Sequence, residues 1–143
     1  MRLPNLADHY WQLESAEARA AKWPDSFTLP PRSVREALKP GTPVQLLFEI
    51  ETELPDGSLR RDVERMWVIV AEKVGALYIG RLDNMPDSVE HDAHVYLSEG
   101  AEVPFGPEHV IAVDEWDDGW QEYVQSLDTS RRWPRDTDVA ARS

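Results

Sequence analysis

The chain reads as an α+β, mainly β protein: a small, bent antiparallel sheet of the SH3-like barrel kind, with an N-terminal and a C-terminal helix. Three observations predict this. Short apolar runs recur between Phe27 and Val113, among them VQLLFEIE, ERMWVIVAEKV, ALYIGRL and HVIAV, and each meets a Gly- or Pro-bearing turn. Several short strands at close spacing with such turns mark a small sandwich or barrel. Within Met66–Ala71 both alternating faces are apolar, as expected of a strand at the centre of a closed or tightly bent sheet. The two longer helical patterns lie one before and one after this sheet.

The first element is a helix over residues 6–22. NLADHYWQLESAEARAAKW is rich in Ala, Glu, Leu and Gln, which favour helix. Asn5 or Asp8 caps its start, and Leu6, Tyr10, Leu13 and Glu17 lie along one stripe with Trp11 beside it. The stripe fades after Leu13, and Pro24 ends the helix, because the residue before a proline avoids helical geometry. An extended stretch follows to Arg32. Ser33 then caps a short helix from Val34 to Leu38, with Glu36 in capping-box position.

The β core spans residues 43–113. Val44, Leu46, Phe48 and Ile50 share one face, and Leu47 breaks the alternation, so part of the other face is also covered. Asp56-Gly57 tips a turn. The next strand is unambiguous from Met66 to Ala71 and carries Trp67 as a core residue. Gly75 turns the chain into a strand over Ala76–Leu82, where Gly80 suits a bulge or bend. Short strands follow over His94–Leu97, Glu102–Phe105 and His109–Val113. Trp116, Trp120, Tyr123, Val124 and Leu127 fall at helical spacing, giving a C-terminal helix over 117–127. Residues 1–129 read as one domain, and 130–143, without periodicity, as a mobile tail.

Composition bounds the function. With 143 residues and 41% hydrophobic content, the chain can bury a sizeable core. It has no cysteine, no long apolar run and no signal-peptide pattern, which predicts a cytoplasmic protein away from membranes. Asp and Glu number 27 against 15 Lys and Arg, a net charge of −12. Nucleic-acid affinity comes largely from Lys and Arg releasing counterions, so a nucleic-acid partner is not expected. The same field attracts a basic protein.

Catalytic constellations are missing. His91 and His94 form the one close histidine pair, without cysteines or further ligands at zinc spacing, so no metal is expected. The carboxylate pairs Glu49/Glu51, Asp114/Glu115 and Asp117/Asp118 sit in exposed patterns rather than in a pocket that splits their pKa values. No nucleophile elbow or phosphate loop appears, and no cofactor is expected. The best candidate surface is the run Asp114, Glu115, Trp116, Asp117, Asp118, Trp120 and Glu122. Aromatics there would anchor an interface and the acids would select a cation. The competing reading docks both tryptophans on the sheet, leaving the acids in water.

Glu64-Arg65-Met66-Trp67-Val68, then Gly80-x-Leu82-Asp83-Asn84-x-Pro86, Gly100 with Val103-x-Phe105, and Pro107-x-His109-Val110-Ile111 resemble a small bacterial domain of unknown function. The likeness covers about Phe27 to Val113 and departs from the pattern in a longer polar insert, Ser88 to Ala93. Relatives of that domain lie near toxin systems and are counted as candidate immunity proteins. The resemblance therefore implies a non-enzymatic protein that neutralises a toxin by binding it. A rival expectation is a small-molecule-binding or enzymatic barrel with a groove formed by Arg65, Asp83, Asn84 and His109.

Overall fold

A computed structural model of the chain describes residues 1–83, 96–127 and 131–135. Its centre is a curled antiparallel sheet forming a half-barrel. Strands β2 (Pro43–Glu53), β3 (Leu59–Val74), β4 (Leu77–Leu82) and β5 (Glu102–Phe105) make a meander in sequence order. A 3-10 turn over Pro107–His109 then leads into β6 (Val110–Val113), which returns to pair with the first half of β2. The second half of the same β2 edge carries β1 (Trp11–Leu13).

The curl has identifiable causes. The β3–β4 register shifts between Val70 and Glu72, opposite Gly80 and Ile79. A bulge of this kind bends a strand and increases its twist. Gly80 is required there: a Cβ would stand 2.1 Å from Val68 Cγ1 and 3.3 Å from Phe105 Cε1. The bend expected at Gly80 is thus a close approach of β3 and β5 over a residue with no side chain.

The concave face holds the core. Leu46, Phe48 and Ile50 of β2, Met66, Val68 and Val70 of β3, Tyr78 and Leu82 of β4, Val103 and Phe105 of β5 and Val110 of β6 are all buried together. Tyr78 keeps its hydroxyl satisfied by donating to the Arg35 carbonyl at 3.0 Å, which matters because an unpaired buried hydroxyl is costly. A smaller cluster of Ala16, Leu47 and Ile111, with Phe27 and Leu29 against it, covers part of the convex face. This is why Leu47 breaks the alternation of β2. Trp67, on the convex side, is half-buried rather than core.

The N-terminal segment departs from the single helix expected over 6–22. It is α1 (Leu6–His9), then β1, then α2 (Ala16–Lys22). Asn5 caps α1 by accepting from the Asp8 N–H, and Tyr10 ends it in the left-handed region at φ 66°. Ser15 caps α2 by accepting from the Ala18 N–H. The reason is tertiary: Trp11 reaches 3% exposure by joining the sheet and packing on Phe48. Burial of that indole outweighs the small helix preference of its neighbours.

The short helix α3 covers Arg32–Arg35 with Pro31, not Ser33, in the cap position. Proline's fixed φ suits a helix start, and Glu36 closes this turn instead of making a capping box. The final helix, α4 (Asp118–Ser126), matches the expected one to within a residue at each end. His109 belongs to the 3-10 turn, and β6 starts one residue later. Of the strand expected over His94–Leu97, the first half lies outside the described residues, and Tyr96 and Leu97 are not in a strand.

The largest correction concerns the tail. Residues 131–135 are packed against the sheet: Trp133 is 4% exposed and Arg135 9%. Each finds in the sheet a partner that a periodicity argument cannot see. The remainder of the expected tail, 130 and 136–143, lies outside the described residues.

Candidate interaction surface

The acidic run after β6 is shaped by its own backbone bonds. The Asp114 N–H donates to the Pro43 carbonyl at 2.9 Å, tying the end of β6 to the start of β2. Asp117 then caps α4, accepting from the Gly119 N–H at 2.6 Å. An aspartate is favoured there because it satisfies a helix donor and meets the positive end of the helix dipole. Asp114, Glu115, Asp117, Asp118 and Glu122 all face solvent.

Trp116 precedes the helix and remains 36% exposed. Its Nε1 donates to the Pro40 carbonyl at 2.7 Å, and the Lys39 ammonium lies 3.9 Å from the ring centroid. Gly41, at φ +97°, makes room for this: a Cβ would stand 2.7 Å from that Nε1. Trp120 is half-buried and meets Tyr123 edge-on at 5.8 Å, while Val124 is the buried residue of α4. The two tryptophans therefore divide. Trp120 is partly covered beside Tyr123, and Trp116 stays at the surface among carboxylates with a cation on its face.

The alternative groove is not assembled. Arg65 is exposed on β3 with its guanidinium 5.2 Å from the Phe27 ring. Asp83 lies at the end of β4 beside Glu99; burial first, then that neighbouring charge, raises its carboxyl above the ordinary value. Asn84 lies outside the described residues. His109 is buried, and its Nδ1 accepts from the Gly106 N–H at 2.9 Å. Its proton is then on Nε2, which faces Glu108 Oε1 at 3.6 Å. Burial lowers the imidazole pKa, opposed by the charges of Glu108 and Glu17. No hydrogen bond or ion pair among the described residues joins Arg65, Asp83 and His109. The histidine belongs instead to a structural joint: Arg35 donates to Glu17 at 2.9 Å and to the Pro107 carbonyl at 2.8 Å, clamping α2, α3 and the 3-10 turn together.

A shallow cleft of about 580 Å³ opens elsewhere, between β1 and α2, lined among others by Leu13, Glu14, Arg19, Lys22 and Trp23. Arg19 pairs with Glu14 at 2.6 Å. Among the described residues no cluster of three or more His, Asp or Glu is placed to hold a metal. His91, His94 and the insert 88–93 lie outside the described residues. No described helix is long and apolar enough to cross a membrane.

The site that the sequence did not reveal is at the side of β5 away from β4. Arg135 grips Glu102 with both nitrogens, Nη1 to Oε1 at 2.5 Å and Nη2 to Oε2 at 2.9 Å, and its Nη2 also bonds Glu72. The Trp133 N–H donates to Glu102 Oε1 at 2.8 Å, and Arg81 stands 3.8 Å from Oε2. Burial alone would raise the Glu102 pKa; the hydrogen bonds from Arg135 and the Trp133 N–H, with the charges of Arg135 and Arg81, bring it below the ordinary value. Beside this network the Trp133 indole sits in a socket of rings, 4.7 Å from His9, 5.6 Å from Trp11 and 5.8 Å from Tyr96. Its Nε1 donates to the Arg2 carbonyl at 2.8 Å. Two signals for this site stood in the sequence: a tryptophan within an otherwise polar tail, and three arginines within five residues of an acidic chain.

No protein-family model matches the chain, and neither a curated protein nor a solved structure matches it significantly.

Proposed function

We propose that the chain is a non-catalytic acidic binding protein of the bacterial cytoplasm, immunity-like, which neutralises a basic toxin or other cationic protein. The observation that carries this reading is the Trp116 surface. An exposed indole flanked by Asp114, Glu115, Asp117 and Asp118 already holds the Lys39 ammonium on its face at 3.9 Å. Cation–π attraction of this kind is worth about 0.5–1 kcal/mol at exposed sites and more once desolvated. The net charge of −12 would speed encounter with a basic protein. The strand order supports an SH3-like barrel: a four-strand meander, a 3-10 turn, and a last strand back on the first. The resemblance around Glu64–Val68 and Gly80–Asp83 supports the immunity-like reading.

The test is capture from the native cell lysate at low and high salt, with the neighbouring genes expressed alongside. A basic partner that binds at low salt, dissociates at high salt and is lost with Trp116→Ala supports the proposal. Retention of no partner, together with cells unharmed by every neighbouring product when the protein is removed, refutes it.

A small-molecule-binding barrel is favoured by one observation, the cleft beside α2, and not by the groove of Arg65, Asp83, Asn84 and His109. A thermal-shift screen of metabolites and nucleotides separates the two readings. A ligand at 100 times its dissociation constant stabilises the fold by about 2.7 kcal/mol, and loss of that shift with Arg19→Ala would favour the small-molecule reading.

A further inference from the structure

The segment 131–135 lies on the sheet as a bound peptide would. Among the described residues β5 is the last strand of the meander and pairs with β4 on one side. On its other side one backbone bond, Glu102 N–H to the Arg131 carbonyl at 3.0 Å, aligns the segment with the strand. The Tyr96 hydroxyl also meets that carbonyl at 3.1 Å. Side chains do the rest: Trp133 fills the socket of His9, Trp11 and Tyr96, and Arg135 takes Glu102 in a two-pronged grip with Glu72 beside it.

Three features mark a recognition seat rather than ordinary core. Pairing at a strand edge with side-chain pockets is a recurrent way of holding extended peptides. A two-pronged arginine–carboxylate contact fixes orientation, and buried pairs of this kind add little stability over apolar filling. The occupant is also opposite in character to its host: Arg131, Arg132, Trp133 and Arg135 fall within five residues of a chain whose net charge is −12.

We propose that residues 131–135 are a tethered ligand, and that the seat formed by Glu102, Glu72 and the rings of Trp11 and Tyr96 takes an arginine- and tryptophan-bearing extended segment of a protein partner in exchange. This rests on the reading of a basic protein partner and names a second contact, besides the Trp116 surface, and the residue chemistry through which that partner is held. The tether sets the threshold for exchange. A short linker gives the internal segment an effective concentration of about 1 mM. If the free segment binds with a Kd of about 10 μM, the intact chain binds a competitor about 100-fold more weakly than a chain whose tether is cut.

The experiment inserts a protease site after Leu127 in the full chain, folds the protein intact, and then cuts it. A fluorescent synthetic peptide carrying the sequence of residues 131–135 with its flanks is titrated in, and anisotropy is read. The expected result is exchange of the fragment for the probe in the cut chain, with affinity about 100-fold above that of the uncut chain. Glu102→Gln in the cut chain should weaken the probe at least 10-fold, and a probe lacking the tryptophan should not bind. Unfolding of the chain on cutting, a fragment that never exchanges, exchange only between two copies of the chain, or indifference to Glu102→Gln would each overturn the proposal. A basic partner captured from lysate that leaves the bound probe in place would also overturn it while leaving the basic-partner reading intact. Probe exchange with no basic partner captured at any salt would instead count against that reading alone.

Discussion

Trp133→Ala separates a tethered ligand from a piece of core. The indole is 4% exposed, touches three rings and hydrogen-bonds the Arg2 carbonyl. Tryptophan-to-alanine changes at buried sites cost about 3–5 kcal/mol. A segment that leaves as a unit, however, cannot lose more than its whole docking free energy. At a local concentration about 100 times its dissociation constant, that is about 2.7 kcal/mol. For a chain of this length, 1 kcal/mol moves the melting temperature by about 3 °C, so the expected fall is about 8 °C. Arg135→Ala should cost about the same, because Glu102, deprived of its main partner, is rehydrated when the segment lifts and water enters. The signature is in the double variant: Trp133→Ala with Arg135→Ala should melt within about 2 °C of either single change. Scanning calorimetry on the three variants provides the measurement. A single-variant fall below about 3 °C, or a double variant showing the sum of the two losses, would refute the reasoning.

Other outcomes follow from the same structure. Gly80→Ala should destabilise by at least about 1–3 kcal/mol, the usual cost of overpacking, since its Cβ would meet Val68 Cγ1 at 2.1 Å; urea denaturation reads this, and a neutral result would mean that the bulge is not tight. Trp120→Ala, at a half-buried site, should cost about 1–2 kcal/mol, whereas Trp116→Ala should cost about 1 kcal/mol or less and abolish capture of a basic partner. His109 has a pKa below its ordinary 6.5 because it is buried, so the unfolded chain binds more protons between the folded value and 6.5. Stability from this residue is complete above that window and falls as pH drops through it. The melting temperature should therefore decline on acidification through that range in the native chain and lose this component in His109→Gln.

What could be read from the residues was the part governed by local periodicity. Val44, Leu46, Phe48 and Ile50 announce one buried face, Met66–Ala71 announces a strand covered on both sides, and the glycines at 75 and 80 mark the turn and the bend. What escaped depended on distant partners. Trp11 and Leu13 could be placed on a helix stripe because their alternation is only three residues long; the strand exists because β2 offers Phe48 and Ile50 as neighbours. Trp133 has no periodic company at all. Its burial requires rings contributed from positions 9, 11 and 96, which no window of sequence contains. Among the candidate sites, the acidic run was legible because its residues are consecutive. The groove of Arg65, Asp83 and His109 was assembled from motif residues that the structure gives to different neighbours.

The hydrogen bond from Trp133 to Arg2 joins residues 131 positions apart. During synthesis the rings of His9 and Trp11 are made long before the indole of Trp133 that packs on them. Contacts of such long sequence separation form late and slow the completion of folding. Until that moment the nascent chain displays an aromatic socket beside the buried-to-be carboxylate of Glu102, a sticky surface of the type that recruits chaperones. Docking of the Trp133 indole is thus a late step of folding, and a chain lacking residue 133 would leave those rings uncovered on its surface.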